Sequence, residues 1–109
     1  MPLPLPQTKH RNRTEIVIEI LKAVHNHQNI TANGITATQL MYTTFLSFNK
    51  LKEYLTLLIE NVLLESNMVE RKYKITEEGL ELIDIYEKMA DMIAKSTSRQ
   101  YYQQQQFRH

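Results

Sequence analysis

The stretch Ser47 to Glu60, SFNKLKEYLTLLIE, decides how the rest of the chain is read. Wound at the helical period, Phe48, Leu51, Tyr54, Leu55 and Leu58, with Val62 beyond, fall on one side. Asn49, Lys50, Lys52, Glu53, Thr56 and Glu60 lie around the other side. Ser47 suits the N-cap, where a hydroxyl accepts a bond from an amide left orphaned in the first turn. The outward first two turns carry an amide, two ammoniums, a carboxylate and a hydroxyl. Such groups can read base edges or hold phosphates. The alternative is a solvated face on a core helix, and the flanking segments decide between the two.

Upstream, Thr36 to Thr43 reads as a short helix with a capping box between Thr36 and Gln39, and with Leu40 and Met41 inward. Thr44 to Leu46 is the turn into the central helix. Two short helices joined by such a turn, the second showing a polar face, form a helix-turn-helix arrangement. Before them, Ile16, Val17, Ile20, Leu21 and Val24 predict a core-facing helix from about Arg13 to His27, with Asn12 and Glu15 as a capping box. His25 and His27 are two apart, so they do not share a helix face and make poor metal ligands. Asn29 to Gly34 is a break with an Asn33-Gly34 turn, and Ile35 is placed to start a short strand.

Downstream, Val62 to Glu65 reads as a strand, Ser66 to Glu70 as a loop turning at Asn67, and Arg71 to Ile75 as the return strand. Tyr73 and Ile75 alternate with Lys72 and Lys74, so the lysines are expected to face out. A hairpin in this place is a wing. Thr76 caps a last helix, with Glu77, Glu78 and Glu81 at its positive end and Gly79 weakening its first turn. That helix is expected to reach about Thr97. It carries two adjacent seams: Ile83, Tyr86, Ala90 and Ile93, and Leu82, Ile85, Met89 and Met92. One small domain can cover one seam; the second predicts a partner helix from another copy of the chain.

The expected fold class is mainly α with a small β-hairpin (α+β): a winged helix-turn-helix plus a long C-terminal helix for dimerisation. The expected division is a disordered basic arm over 1–12, the winged helix-turn-helix over 13–76, the dimerisation helix over 77–97 and a flexible Gln-rich tail over 98–109. The tail, RQYYQQQQFRH, is low in complexity, and its Tyr101, Tyr102 and Phe107, with Arg99 and Arg108, could stack on a nucleic acid or a partner.

The chain has 109 residues, 42% of them hydrophobic, which suits one small domain with a core. Two glycines and three prolines argue for much helix. The absence of cysteine excludes disulfides and thiolate metal sites and favours an intracellular protein. No apolar run approaches a membrane span, and MPLPLPQ lacks the apolar core of a signal peptide. The expected place is the cytoplasm, associated with the nucleoid. The net charge of +1 is uninformative, but its distribution is not. Lys9, Arg11 and Arg13 stand in an N-terminal arm without acids, and Lys50, Lys52, Arg71, Lys72 and Lys74 gather in the central helix and wing, whereas the last 34 residues are acidic on balance. No Gly-rich phosphate loop or nucleophile pattern suggests an enzyme, and no cofactor or metal is implied.

These elements together resemble archaeal winged-helix proteins, in particular the small dimeric DNA-binding chromatin proteins of the 10a type and the related archaeal transcriptional regulators. The residues that carry the resemblance are RTEIVIEIL, TQLMYTTFLSFNKLKEYLTLLIENVLLE and YKITEEGLELI, within about Arg11 to Ile93. The resemblance implies double-stranded DNA binding by a homodimer joined through C-terminal helices in an antiparallel coiled coil. It carries over Ser47, Asn49, Lys50 and Lys52 to the recognition helix, and Arg71 and Lys72 to the wing. The last helix reads as short for such a coiled coil, and the Gln-rich tail is a departure.

The candidate DNA contacts are therefore Arg11, Arg13, Ser47, Asn49, Lys50, Lys52, Glu53, Thr56, Arg71 and Lys72. Asn49 and Glu53 are the candidate base readers; Lys50, Lys52, Arg71, Lys72 and the arm would meet phosphate. Glu53 could instead pair with Lys50 or Lys52. The candidate dimer seam is Leu82, Ile85, Tyr86, Met89, Met92 and Ile93. The competing reading is a winged-helix module for protein contact without direct DNA binding, which an apolar patch over the recognition helix and wing would favour.

Overall fold

Asn12 starts the first helix by reciprocal bonding. Its side chain accepts from the Glu15 amide, and the Glu15 carboxylate accepts from the Asn12 amide. The computed structural model describes residues 11–106, with side chains to residue 95. The expected arm up to His10, the side chains of the Gln-rich tail and residues 107–109 lie outside the described residues. Helix α1 spans Arg13–Ile30, a turn longer than its apolar periodicity predicts. The added turn is held from outside: Gln28 Oε1 accepts from the Ile75 amide at 2.6 Å.

Gly34 adopts φ +87°, and a Cβ there would meet the Tyr73 carbonyl oxygen at 3.0 Å. This turn delivers β1, Ile35–Thr36, to the sheet. Helix α2, Ala37–Thr44, begins with the predicted Thr36–Gln39 capping box. Helix α3, Phe48–Glu60, begins at Ser47, whose hydroxyl accepts from the Lys50 amide at 3.2 Å. Strands β2, Leu64–Asn67, and β3, Lys72–Ile75, form the wing hairpin. The sheet has three antiparallel strands in the order β1-β3-β2, so the expected two-stranded hairpin gains β1 at its edge. Tyr73 and Ile75 pack against the core as predicted, and Lys74 is exposed; Lys72 is half-buried because β3 is the central strand.

The core is made by Ile20, Leu21 and Val24 of α1, Leu40 of α2, Leu51, Tyr54, Leu55 and Leu58 of α3, with Ile35, Leu64 and Ile83. Burying each such side chain stabilises by about 1.5–3 kcal/mol. Phe48 and Val62, expected on this face, are instead 52% and 56% exposed. Val62 lies past the end of α3, where helical phase no longer applies. It adopts φ +60° as the C′ residue of a Schellman motif. The Val62 amide donates to the Ile59 carbonyl and the Leu63 amide to the Leu58 carbonyl.

Helix α4 runs Glu77–Gln106, 30 residues. The helix runs past the expected end near Thr97: its backbone stays helical to Gln106, about 45 Å at ~1.5 Å per residue. Glutamine is a fair helix former, so a low-complexity Gln run does not by itself end a helix. The start of α4 is fitted closely to the end of α3. Thr76 Oγ1 donates to the Val62 carbonyl at 2.7 Å and accepts from the Gly79 amide at 3.0 Å. Gly79 is buried, with the Leu63 carbonyl oxygen and the Ile75 side chain where a Cβ would go. Farther on, α4 packs along α1, and Lys22 of α1 pairs with Glu87 at 2.9 Å.

Candidate nucleic-acid interface

Helix α3 presents its polar residues as the helical period requires. Leu51, Tyr54, Leu55 and Leu58 are buried, while Asn49, Lys50, Lys52, Glu53 and Thr56 are exposed. Ser47, also exposed, fixes the first turn. Lys50 Nζ stands 3.9 Å from Glu53 Oε1, an exposed pair too weak to hold either side chain. The described face is therefore mixed in sign, with donors and an acceptor within two turns.

The two arm arginines have different surroundings. Arg13 lies against α3: its guanidinium carbon is 6.0 Å from the Tyr54 ring centroid, and it borders a shallow groove with Lys50, Glu53 and Leu57. Arg11 turns inward. Its Nη1 donates to Glu19 and, at 3.0 Å, to the Thr44 carbonyl oxygen at the end of α2, leaving the side chain only 18% exposed. Its Nε is buried without a hydrogen-bond partner. Thus Arg11, grouped by sequence with the free arm, ties the start of α1 to the helix-turn-helix turn.

The wing stands beside α3. Phe48 at the start of α3 and Met68, Glu70 and Arg71 of the hairpin line one groove, together with Thr36 and Thr38 of the α2 start. Arg71 is exposed, with φ +56°. Between the wing strands, Asn67 Oδ1 accepts from the Val69 amide at 2.9 Å and the Glu70 amide at 3.1 Å, as expected of a turn residue. Met68 and Val69, which the sequence places in the loop without a role, are 84% and 92% exposed at the tip. Tyr42 in the last turn of α2 and Phe45 on the turn into α3 are also exposed. The available signal was an apolar pair where a hairpin loop ordinarily carries polar residues.

The chain, with a polar-faced helix beside a wing hairpin, matches a family model described as winged helix-turn-helix, over residues 10–94. The chain belongs to the winged helix-turn-helix family. No curated protein sequence matches this winged-helix chain. Among solved structures, it is similar to Sso10a-2, a DNA-binding protein from Sulfolobus solfataricus, with 22% identity and a TM-score of 0.63, covering 91% of this chain and 99% of that one. It is also similar to a mutant of S. aureus MepR, with 17% identity and a TM-score of 0.66, covering 88% of this chain and 69% of MepR. MepR bound to ethidium bromide aligns with 16% identity and a TM-score of 0.60, covering 87% and 70%. At these identities the likeness is one of fold.

The seam residues of the winged-helix chain divide between two surroundings on α4. Ile83 is buried against the core, with Leu82 and Tyr86 half-buried. Ile85, Met89, Met92 and Ile93 are exposed in the single protomer. Among the described residues, no helix is long and apolar enough to cross a membrane, and no group of three or more His, Asp or Glu could hold a metal ion.

Proposed function

We propose that the chain binds double-stranded DNA as a homodimer, in the role of an archaeal transcriptional regulator or chromatin-associated protein of the nucleoid. The observation that carries this reading is the exposed face of α3, where Asn49, Lys50, Lys52, Glu53 and Thr56 project from a helix locked by four buried residues. In a major groove, Asn49 can bond adenine at two edge atoms and Glu53 can accept from cytosine. Lys50, Lys52, Arg13, Arg71 and Lys72 would meet phosphate, adding affinity through counterion release. The likeness to the S. solfataricus protein, described as DNA-binding, supports the same reading. The exposed apolar row on α4 supports self-association, and two copies would set two recognition helices on one duplex. Nothing in this reading calls for catalysis.

A second reading, a winged-helix module that docks on protein, is favoured by the exposed Tyr42, Phe45 and Phe48 around the helix-turn-helix turn. One experiment separates the two. Fluorescence anisotropy with a random duplex of roughly 30 base pairs is measured across a salt series, wild type beside the Lys50→Ala/Lys52→Ala variant. Binding that weakens steeply with salt, with a shallower slope in the variant, supports the DNA reading. Absence of binding to random and genomic-fragment duplexes at low salt would refute it and leave the protein module.

A further inference from the structure

The wing ends in a feature that phosphate binding does not use. Met68 and Val69 are among the most exposed large apolar side chains described, and the hairpin holds them in place. Asn67 Oδ1 ties down the Val69 and Glu70 amides, the Arg71 amide donates to the Asn67 carbonyl at 2.6 Å, and Ser66 Oγ donates to Met68 Sδ at 3.7 Å. These bonds fix the backbone of the tip, and both apolar side chains stand exposed on it.

We infer that Met68 and Val69 form an apolar wedge that enters the minor groove beside the major groove occupied by α3 and unstacks a base step there. This inference rests on the DNA-binding reading above and deepens it. The tip adjoins the start of α3, since Met68 and Arg71 share a groove with Phe48, so a duplex seated on α3 would lie within its reach. Charge at the tip also suits a polyanion. Glu65 stands opposite Lys74 across the hairpin, which leaves Arg71 and Lys72 against Glu70.

Size argues the same way. A stable protein interface buries roughly 800 Å² on each partner, far more than two side chains on a narrow hairpin tip supply. A minor groove is only about 6 Å wide and takes a narrow protrusion. Methionine and other apolar side chains can part stacked bases there, bending the duplex away from the protein. The unstacking cost is least at flexible pyrimidine–purine steps, so the wedge would favour thymine–adenine steps without a hydrogen bond to any base.

The test uses the full chain and an alternating thymine–adenine duplex carrying several 2-aminopurines, whose fluorescence rises on unstacking. Wild type is compared with Met68→Ser/Val69→Ser and with Lys72→Ala, each verified as folded by circular dichroism. The wedge predicts a fluorescence rise with wild type and its loss in the serine variant. It further predicts affinity about tenfold weaker at every salt concentration, with an unchanged salt slope, because apolar contact releases no counterions. Lys72→Ala should do the reverse, lowering the slope and keeping the rise. If wild type binds DNA without a rise, or the serine variant binds as tightly as wild type, the wedge is overturned while DNA binding stands. If wild type binds no duplex at any salt, the DNA reading falls and the wedge with it.

Discussion

Arg11 Nη1 donates to the Thr44 carbonyl oxygen at 3.0 Å, joining the residue before the Asn12 cap of the first helix to the last turn of α2. Thr44 is buried, and its own hydroxyl donates back to the Leu40 carbonyl at 2.7 Å. The turn into α3 begins at the next residue, Phe45, with φ +60°. Arg11 therefore bears on how α3 is presented, and Glu19 offsets its charge.

Arg11→Ala is expected to destabilise the fold by about 1.5–3 kcal/mol, the range for a hydrogen bond to a charged group. Glu19 would also lose its partner. Chemical denaturation measures this. On DNA the same variant should bind more weakly with its salt slope unchanged. A slope lowered by about 0.9, the value for one phosphate contact, would return Arg11 to the DNA surface.

Val62→Gly should stabilise. Valine is β-branched, and its left-handed backbone at the C′ position costs about 1–2 kcal/mol, which glycine does not incur. Glycine loses more chain entropy on folding, so the net gain expected is about 0.5–1 kcal/mol. Val62 is exposed, so its removal forfeits little packing. A higher denaturation midpoint with the same slope would bear this out; a lower midpoint would show that the Val62 side chain contributes more than its exposure suggests.

Much of this architecture was legible in local chemistry. Asn12 with Glu15, Thr36 with Gln39, and Ser47 announce three helix starts because each cap bonds within three residues of itself. The buried face of α3 was legible from periodicity. What escaped depends on distant partners. Gln28 extends α1 through a bond to Ile75, 47 positions away, and β1 exists only because Gly34 turns Ile35 onto Tyr73. Arg11 looks like any arm arginine until Thr44 is brought beside it. At the other end, composition gives no helix stop for the Gln run, and the backbone of α4 continues to Gln106. On α3 the exposure of Asn49, Lys50, Lys52, Glu53 and Thr56 follows from the helical period, whereas the exposed apolar pair at the wing tip has no periodic pattern to announce it.

Gly79→Ala tests the junction between α3 and α4. In an isolated helix the change would help by about 1 kcal/mol. Here the new methyl would meet the Leu63 carbonyl oxygen and Ile75 Cγ1, the latter at 2.6 Å. Backbone cannot step aside cheaply, so α4 must shift off the sheet. The expected outcome is a loss of about 1–3 kcal/mol, the usual cost of overpacking. Thermal unfolding decides the sign. A stabilised variant would show that α4 can shift away from Leu63 without losing its packing on the sheet.

The exposed row on α4 makes the last prediction. Ile85, Met89 and Met92 follow a 4-3 spacing on a helix of 30 residues, long enough for several turns of contact with a second copy. Wild type is expected to sediment at twice the chain mass of 12.9 kDa. Ile85→Glu/Met89→Glu sets carboxylates into that contact and should give the single-chain mass. Both side chains are about half exposed in the protomer, so the α1–α3 core should persist and circular dichroism should remain helical. With one recognition helix per particle, DNA affinity should fall at least tenfold, because the second contact no longer benefits from tethering. The salt slope should drop towards half, since half the phosphates are met at once. A variant that stays dimeric would move the interface off Ile85 and Met89, and a monomeric wild type would remove the homodimer altogether.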